Sequence, residues 1–236
     1  MTNAAASLSV FGIAGLPEVG AGDDLAAMIA ERAQLVTGDV VVVTQKIVSK
    51  AEGRIVAVDA GDADARQELA LSEAVRVLRR RGDLVVTETR HGFVCANSGV
   101  DLSNITEGYA ALLPIDPDRS ARRIRDGLRA RAGCEVGVIV SDTFGRAWRR
   151  GVTDVAIGCA GVRGIVDLRG TEDALGRTLV ATEICVVDEI AAAAELVMGK
   201  AAGVPVAVVR GLDPSLLGDG SVAREVVRPY GEDLFR

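Results

Sequence analysis

The sequence predicts an α/β fold of mixed α+β character, and three observations carry that prediction. Short apolar, β-branched runs recur, the clearest being Val40-Val-Val-Val-Thr44 and Val136 to Val140. Between such runs lie segments whose apolar residues recur three and four apart, the spacing of one helix face. Glycine and proline punctuate the joins, and strands alternate with helices only loosely. The 236 residues suffice for one large domain or two small ones; they are 49% hydrophobic but 3% aromatic, so Val, Leu, Ile and Ala must build the core.

In chain order, Leu8 to Ile13 reads as a strand that ends in the turn-rich Gly15-Leu-Pro-Glu-Val-Gly20. Asp23 or Asp24 can cap a helix through Leu25, Met28, Ile29 and Arg32. Gly38-Asp39 precedes Val40 to Thr44, a continuous apolar run typical of a strand covered on both faces. It leads straight into Gln45-Lys-Ile-Val-Ser-Lys50, which is either an anion-friendly edge or a solvated lysine turn. After a polar loop at Gly61 to Ala65, a helix is expected from about Ala65 to Arg81, with Arg79, Arg80 and Arg81 suiting its C-terminal dipole. Asp83 to Glu88 reads as a strand.

The next segment, His91 to Asn104, is polar and marked by glycine, and holds the only His, a residue more often structural than catalytic when alone. Asp101 and Asn104, three apart among small residues, can hold a hard cation while contacting its ligand, or can form a plain Asx turn. Ala110 to Leu113 and Pro114 close the segment. Asp116 to Arg131 reads as a helix with Pro117 in its first turn.

Val136 to Val140 then run into Ser141-Asp-Thr-Phe-Gly-Arg-Ala-Trp-Arg-Arg-Gly151, with the strand expected to end at Asp142-Thr143 and to turn on Gly145. A carboxylate and a hydroxyl at the carboxyl edge of a sheet stand where α/β proteins put ligands. Arg146, Arg149 and Arg150 would suit a phosphate or carboxylate there, the alternative being a charged turn. Thr153 to Gly158, Val162 to Asp167 and Leu179 to Val187 are expected strands, with a polar loop at Gly170 to Arg177. Asp188-Glu189 opens an Ala-rich helix to Met198 and suits its N-terminal dipole. Val204 to Val209 is a last strand, Ser221 to Arg228 a short helix, and Pro229 to Arg236 polar.

Several classes drop out. No run approaches the ~18 apolar residues of a membrane span, and Met1 to Val10 lacks the cationic start of a signal peptide. Cys95, Cys134, Cys159 and Cys185 form no CxxC pair and read as buried free thiols of a cytoplasmic protein. The net charge of −6 argues against a nucleic-acid or anionic-membrane partner, so an anionic ligand needs local cations or metal ions. There is no GxxxxGK[ST], no GxGxxG after a strand, no GxSxG and no Cys/His pair. What remains is Asp101 with Asn104, Asp142 with Thr143, Lys46 with Lys50, and the arginines after Gly145. Separated carboxylates with small polar neighbours suit Mg²⁺ or Mn²⁺ that keeps waters and shares phosphate oxygens.

Gly15-Leu-Pro-Glu18, Val42-Val-Thr-Gln-Lys-Ile-Val-Ser-Lys50, Asn97-Ser-Gly-Val-Asp-Leu-Ser-Asn104, Ser141 to Gly151, Asp188-Glu-Ile-Ala191 and Pro205-Val-Ala-Val-Val-Arg-Gly211 follow one another along nearly the whole chain. In these motifs and their order the chain resembles the coenzyme F420-0:L-glutamate ligases, above all the actinobacterial form. In many actinobacteria that unit precedes a flavin-binding, nitroreductase-like second half. The resemblance implies a GTP-dependent ligase that joins L-glutamate to the phospholactyl carboxylate of F420-0, releases GDP and phosphate, and can add further γ-linked glutamates. It implies GTP contacts from Leu16, Pro17, Glu18, Val19, Gln45, Lys50 and Asn104, and two Mg²⁺ or Mn²⁺ ions on Asp101, Asp142 and Thr143, with K⁺ assisting. Lys50 and Arg146 are the candidates for catalytic positive charge.

The implied fold is a two-lobed unit forming an intertwined homodimer, the lobes being roughly 1–85 with 185–236, and 86–184. Two departures stand out. Archaeal members carry a Gln- or acid-containing loop after the Ala-rich helix where this chain has Met198-Gly-Lys-Ala-Ala-Gly203, which leaves the third metal ligand open. Actinobacterial relatives can have Ser in place of Gln45. Two other readings remain at this stage: a non-catalytic deazaflavin-binding module, and an amide ligase with another carboxylate acceptor.

Overall fold

The computed structural model describes residues 7–233; Met1–Ala6 of the N-terminal stretch and Leu234–Arg236 of the polar tail lie outside the described residues. The chain begins with β1 (Ser9–Gly12) and α1 (Leu25–Ala30), the latter capped by the Asp24 carboxylate accepting from Ala27 N. Next come β2 (Val40–Thr44) and, with no intervening loop, α2 (Gln45–Ala51). The Gln45–Lys50 edge is therefore the first turns of a helix. Then follow β3 (Ile55–Ala57), α3 (Ala63–Ser72), β4 (Ala74–Arg81), β5 (Leu84–Thr89), β6 (Val94–Ala96) and β7 (Tyr109–Ala111). The second half holds α4 (Pro117–Ala132), β8 (Gly137–Arg146), β9 (Arg149–Ala160), β10 (Ile165–Asp167), β11 (Glu183–Cys185), α5 (Val186–Met198) and β12 (Val206–Arg210).

A five-stranded sheet in the order β1-β12-β2-β8-β9 organises the core, and in it only β2 and β8 run parallel. Val40, Val41, Val42 and Val43 have no exposed surface. Side chains of a strand alternate between faces, so both faces of the sheet are covered at β2. Helices α4 and α5 pack on it, burying Ala121, Ile124 and Leu128 from the one and Val187, Ile190, Ala194 and Met198 from the other. The N-terminal end of α4 comes so close to β9 that a Cβ on Gly158 would lie 2.2 Å from the Pro117 carbonyl carbon. No helix among the described residues is long and apolar enough to cross a membrane.

The expected helix over 65–81 is corrected. It is α3 followed by β4, because Ala74 to Arg81 pairs antiparallel with β5 around Gly82, whose φ of +57° permits the tight turn. Arg79 to Arg81 therefore lie on a strand rather than at a helix end, while Arg76 on the same strand holds Glu88 across the pair at 2.8 Å. The strand expected to end at Asp142-Thr143 continues to Arg146, because β9 pairs with it to the register Arg146↔Arg149. The turn falls at Ala147-Trp148, not Gly145, with Trp148 in the left-handed region at φ +63°. The strand expected at 179–187 is only Glu183–Cys185, since α5 has begun by Val186. The helix at 221–228 shrinks to one π-turn, Val222–Val226, capped by Ser221. All four cysteines are free; Cys95 and Cys159 are buried, whereas Cys134 and Cys185 are only partly so.

Candidate active site

The last matched pair of the parallel strands is Thr44↔Ser141. Just past it, α2 starts on one side and Asp142-Thr143 continue β8 on the other. A cavity of about 360 Å³ opens there. Leu16, Pro17, Glu18, Val19, Gln45, Lys50, Asp101, Asn104, Asp142 and Thr143 all line it. The structure thus brings every expected nucleotide and metal residue to one place. Arg146 is not among the lining residues; it is exposed at the hairpin end, donating to the Arg150 carbonyl at 3.3 Å. His91 lies outside the lining as well, with Nε2 between the Pro114 and Ile115 carbonyls at 2.9 and 3.1 Å and its ring stacked on Phe93.

The lining carboxylates sit in different environments. Asp101 is paired with Lys46, Nζ to Oδ2 at 2.9 Å, and accepts from Ser103 N at 2.7 Å. Burial pushes its pKa up, but the hydrogen bonds from Lys46 and Ser103 outweigh that and leave it below the usual value. Asp142 has no ion pair among those of the described residues, and only the Thr143 amide donates to it, at 2.8 Å. Burial, helped by the charges of Asp101 and Asp154, drives its carboxyl up to about 7, with Thr143 N and Lys200 acting the other way. Glu195 is raised too, first by burial and then by Asp154.

Gln45 is 2% exposed, and its Nε2 has no hydrogen-bond partner. Its Oε1 lies 2.9 Å from Ser49 Oγ, which is also 2.7 Å from the Leu112 carbonyl. One hydroxyl hydrogen cannot serve both, so whichever way the amide is turned, one end stays unpaired for a ligand. Lys50 is held by Glu18.

Residues 14–211 match the family model described as F420-0:gamma-glutamyl ligase. The chain belongs to that family. It is similar to proteins named coenzyme F420:L-glutamate ligase in three archaea. Identity is 42% with that of Methanothermobacter thermautotrophicus, over 97% of this chain and 99% of the relative. It is 44% with that of Methanopyrus kandleri, over 91% and 92%, and 41% with that of Archaeoglobus fulgidus, over 97% and 96%.

In this member of the ligase family, sequence reasoning missed two acids. Asp154 on β9 is 2% exposed and accepts from Ser141 Oγ at 2.9 Å and Thr143 Oγ1 at 2.5 Å. The available signal was a single carboxylate at the head of the apolar run that ends at Ala160. Glu195, on α5, is the other. Asp188, read as a dipole partner, also anchors β9 by accepting from Ala156 N at 2.9 Å.

No cluster of three His, Cys, Asp or Glu able to hold a metal occurs among the described residues. The donor set still suits one kind of ion. A hard divalent cation that keeps its waters and binds phosphate needs only one or two carboxylates. Asp142, raised first by burial and then by the negative charge of Asp101 and Asp154, and with no lysine in ion-pair contact among the described residues, is the carboxylate that such an ion would relieve.

Proposed function

We propose that this chain is a GTP-dependent ligase that joins L-glutamate to the phospholactyl carboxylate of F420-0 and releases GDP and phosphate. The supporting observation is one cavity where Lys46, Lys50 and Lys200 meet Asp101, Asp142, Asp154 and Glu195, in a chain of the family whose relatives bear the ligase name. Such a pocket can take a polyphosphate with its cation. A non-catalytic module would have no use for it.

A carboxylate is a poor acyl donor because its leaving group would be oxide. Phosphorylation converts it to an acyl phosphate, whose leaving group is phosphate and whose carbonyl the glutamate amine can attack. In this reading a Mg²⁺ or Mn²⁺ ion, when bound, would spread the phosphate charge during transfer. Asp142 and Asp101 would hold it beside the Thr143 hydroxyl. Gln45 would use its unpaired amide end on the nucleotide, next to Leu16–Val19 and Asn104. Lys50 leaves Glu18 for phosphate or for the oxyanion of the tetrahedral intermediate. Arg146, on the exposed hairpin end with Arg149 and Arg150, is assigned to the anionic acceptor. Incubating the protein with GTP, Mn²⁺, L-glutamate and F420-0 tests this reading. GDP and a product heavier by one glutamyl residue are expected, with further mass steps if γ-linked additions follow; the absence of both GDP and a mass shift refutes it.

A further inference from the structure

We infer that the Lys200 ammonium takes the place of one cation in this pocket, so that the site holds a single divalent ion rather than two. This deepens the ligase reading above and rests on it. Lys200 lies in the loop after α5, and its Nζ bonds to Thr143 Oγ1. The loop is fastened a second time, by Asn104 Nδ2 donating to the Lys200 carbonyl at 3.2 Å. Glycines in the left-handed region, Gly199 at φ +58° and Gly203 at φ +66°, let the chain turn on each side.

The hydrogen-bond chain leaves Thr143 little choice. Its one hydroxyl hydrogen goes to Asp154 Oδ1, at 2.5 Å, so its oxygen accepts from Lys200. A metal ion on that oxygen would first have to evict the ammonium. The other Asp154 oxygen is taken by Ser141 at 2.9 Å. The positive charge of Lys200 therefore serves the side of the pocket formed by Thr143, Asp154 and Glu195. In the same cavity Lys46 already covers Asp101 Oδ2 at 2.9 Å. Asp142 lines the same cavity with no lysine in ion-pair contact among the described residues, which leaves room in the charge pattern for one hard cation. That the cavity is built for a ligand follows independently from Gln45, whose amide is buried against it with one end unpaired.

Equilibrium dialysis against Mn²⁺ with GDP, counting the ions retained per chain, tests this without any turnover. The wild type and Lys200→Arg should retain one Mn²⁺, and Lys200→Gln two. Lys200 is exposed, so these variants keep the fold. Two ions in the wild type, or one in Lys200→Gln, overturns the inference and leaves the ligase reading standing. No retained Mn²⁺ in the wild type overturns both.

Discussion

Thr143 on β8 and Asp154 on β9 are register partners, and Thr143 Oγ1 lies 2.5 Å from Asp154 Oδ1. The buried carboxylate also accepts from Ser141 Oγ, so two neighbouring hydroxyls of β8 are aimed by one acid on β9. Removing it in Asp154→Ala strands the Ser141 hydroxyl in a fully buried position, which costs about 1–3 kcal/mol. For a chain of this size that lowers Tm by about 2–4 °C per kcal/mol. Thr143 loses its orientation at the same time, and ligation should fall by at least about tenfold, equivalent to 1.4 kcal/mol or more of barrier. Asp154→Asn, which keeps an acceptor, should lose less on both counts. Thermal melts and initial rates compare the two, and equal losses would show that the acceptor is not what matters.

The same pair marks the boundary of what could be read from the chain. The strand β2, the helix α4 with Pro117 in its first turn, and the Ala-rich α5 were legible, because each depends on local periodicity and composition; that Asp116 caps α4 rather than belonging to it came from the structure. β4 was not. Its apolar residues, interleaved with Arg76 and Arg79, satisfy helix and strand spacing alike, and pairing with β5 decides between them. The cavity's motif residues were legible because each follows a recognisable strand or glycine-marked loop. Asp154 was hidden because its meaning lies in the β8–β9 register. Nothing near it in sequence reports that Thr143 is opposite.

A pH signature follows from Asp142. Its carboxyl titrates near pH 7 in the folded chain, against an ordinary value of 3.8. Between roughly pH 4 and 7 the folded protein keeps a proton that the unfolded chain has released. The stabilising contribution is complete below about pH 4 and is lost as pH rises to about 7, after which it changes no further. Asp101, shifted downward, acts in the opposite sense and only at more acid pH, its contribution fading as pH falls through its lowered value. Unfolding by urea with a metal chelator present, measured across about pH 4 to 7, should show the wild type losing stability relative to Asp142→Asn as pH rises. Parallel curves would contradict the assignment.

Gln45 separates ligand binding from folding. One end of its amide is unpaired while buried, so the folded protein already bears that cost. Gln45→Leu removes the unpaired group, fills similar space and leaves Ser49 its bond to the Leu112 carbonyl. Stability should change by less than about 1.5 kcal/mol, as for a volume-conserving change. GDP affinity should fall about 5- to 30-fold if that amide end serves the nucleotide, the worth of roughly 1–2 kcal/mol. Calorimetric GDP binding beside a urea melt distinguishes the outcomes. A loss of stability with no loss of affinity would make the residue purely structural.

Gly158 tests how α4 seats on the sheet. A methyl group there would stand 2.3 Å from the Pro117 carbonyl oxygen and 2.6 Å from Asp118 N, all of it backbone. Backbone at a helix start cannot swing aside as a side chain can, so Gly158→Ala should cost at least the 1–3 kcal/mol typical of overpacking. The Asp118 carboxylate, which accepts from Cys159 N at 2.8 Å and from Val222 N at 3.0 Å, would be displaced with it. Proteolysis near Ser221–Val226 should therefore rise together with the drop in Tm. A drop confined to Tm would place the damage in α4 alone.

Arg146 distinguishes the two substrates. It is exposed near Trp148, itself 89% exposed, and does not line the cavity that holds Gln45, Lys50 and Asp142. A guanidinium there can meet only a ligand that extends out of the pocket along the hairpin, and a phospholactyl anion suits its fork. Arg146→Ala should leave GDP affinity unchanged and raise KM for F420-0 about tenfold, the 1.4 kcal/mol within the range of a hydrogen bond to a charged group. Arg146→Lys should recover only part of it, because an ammonium offers no fork. A change in GDP affinity would place Arg146 at the nucleotide instead. An unaltered KM with reduced kcat would move it from binding the acceptor to stabilising the transition state.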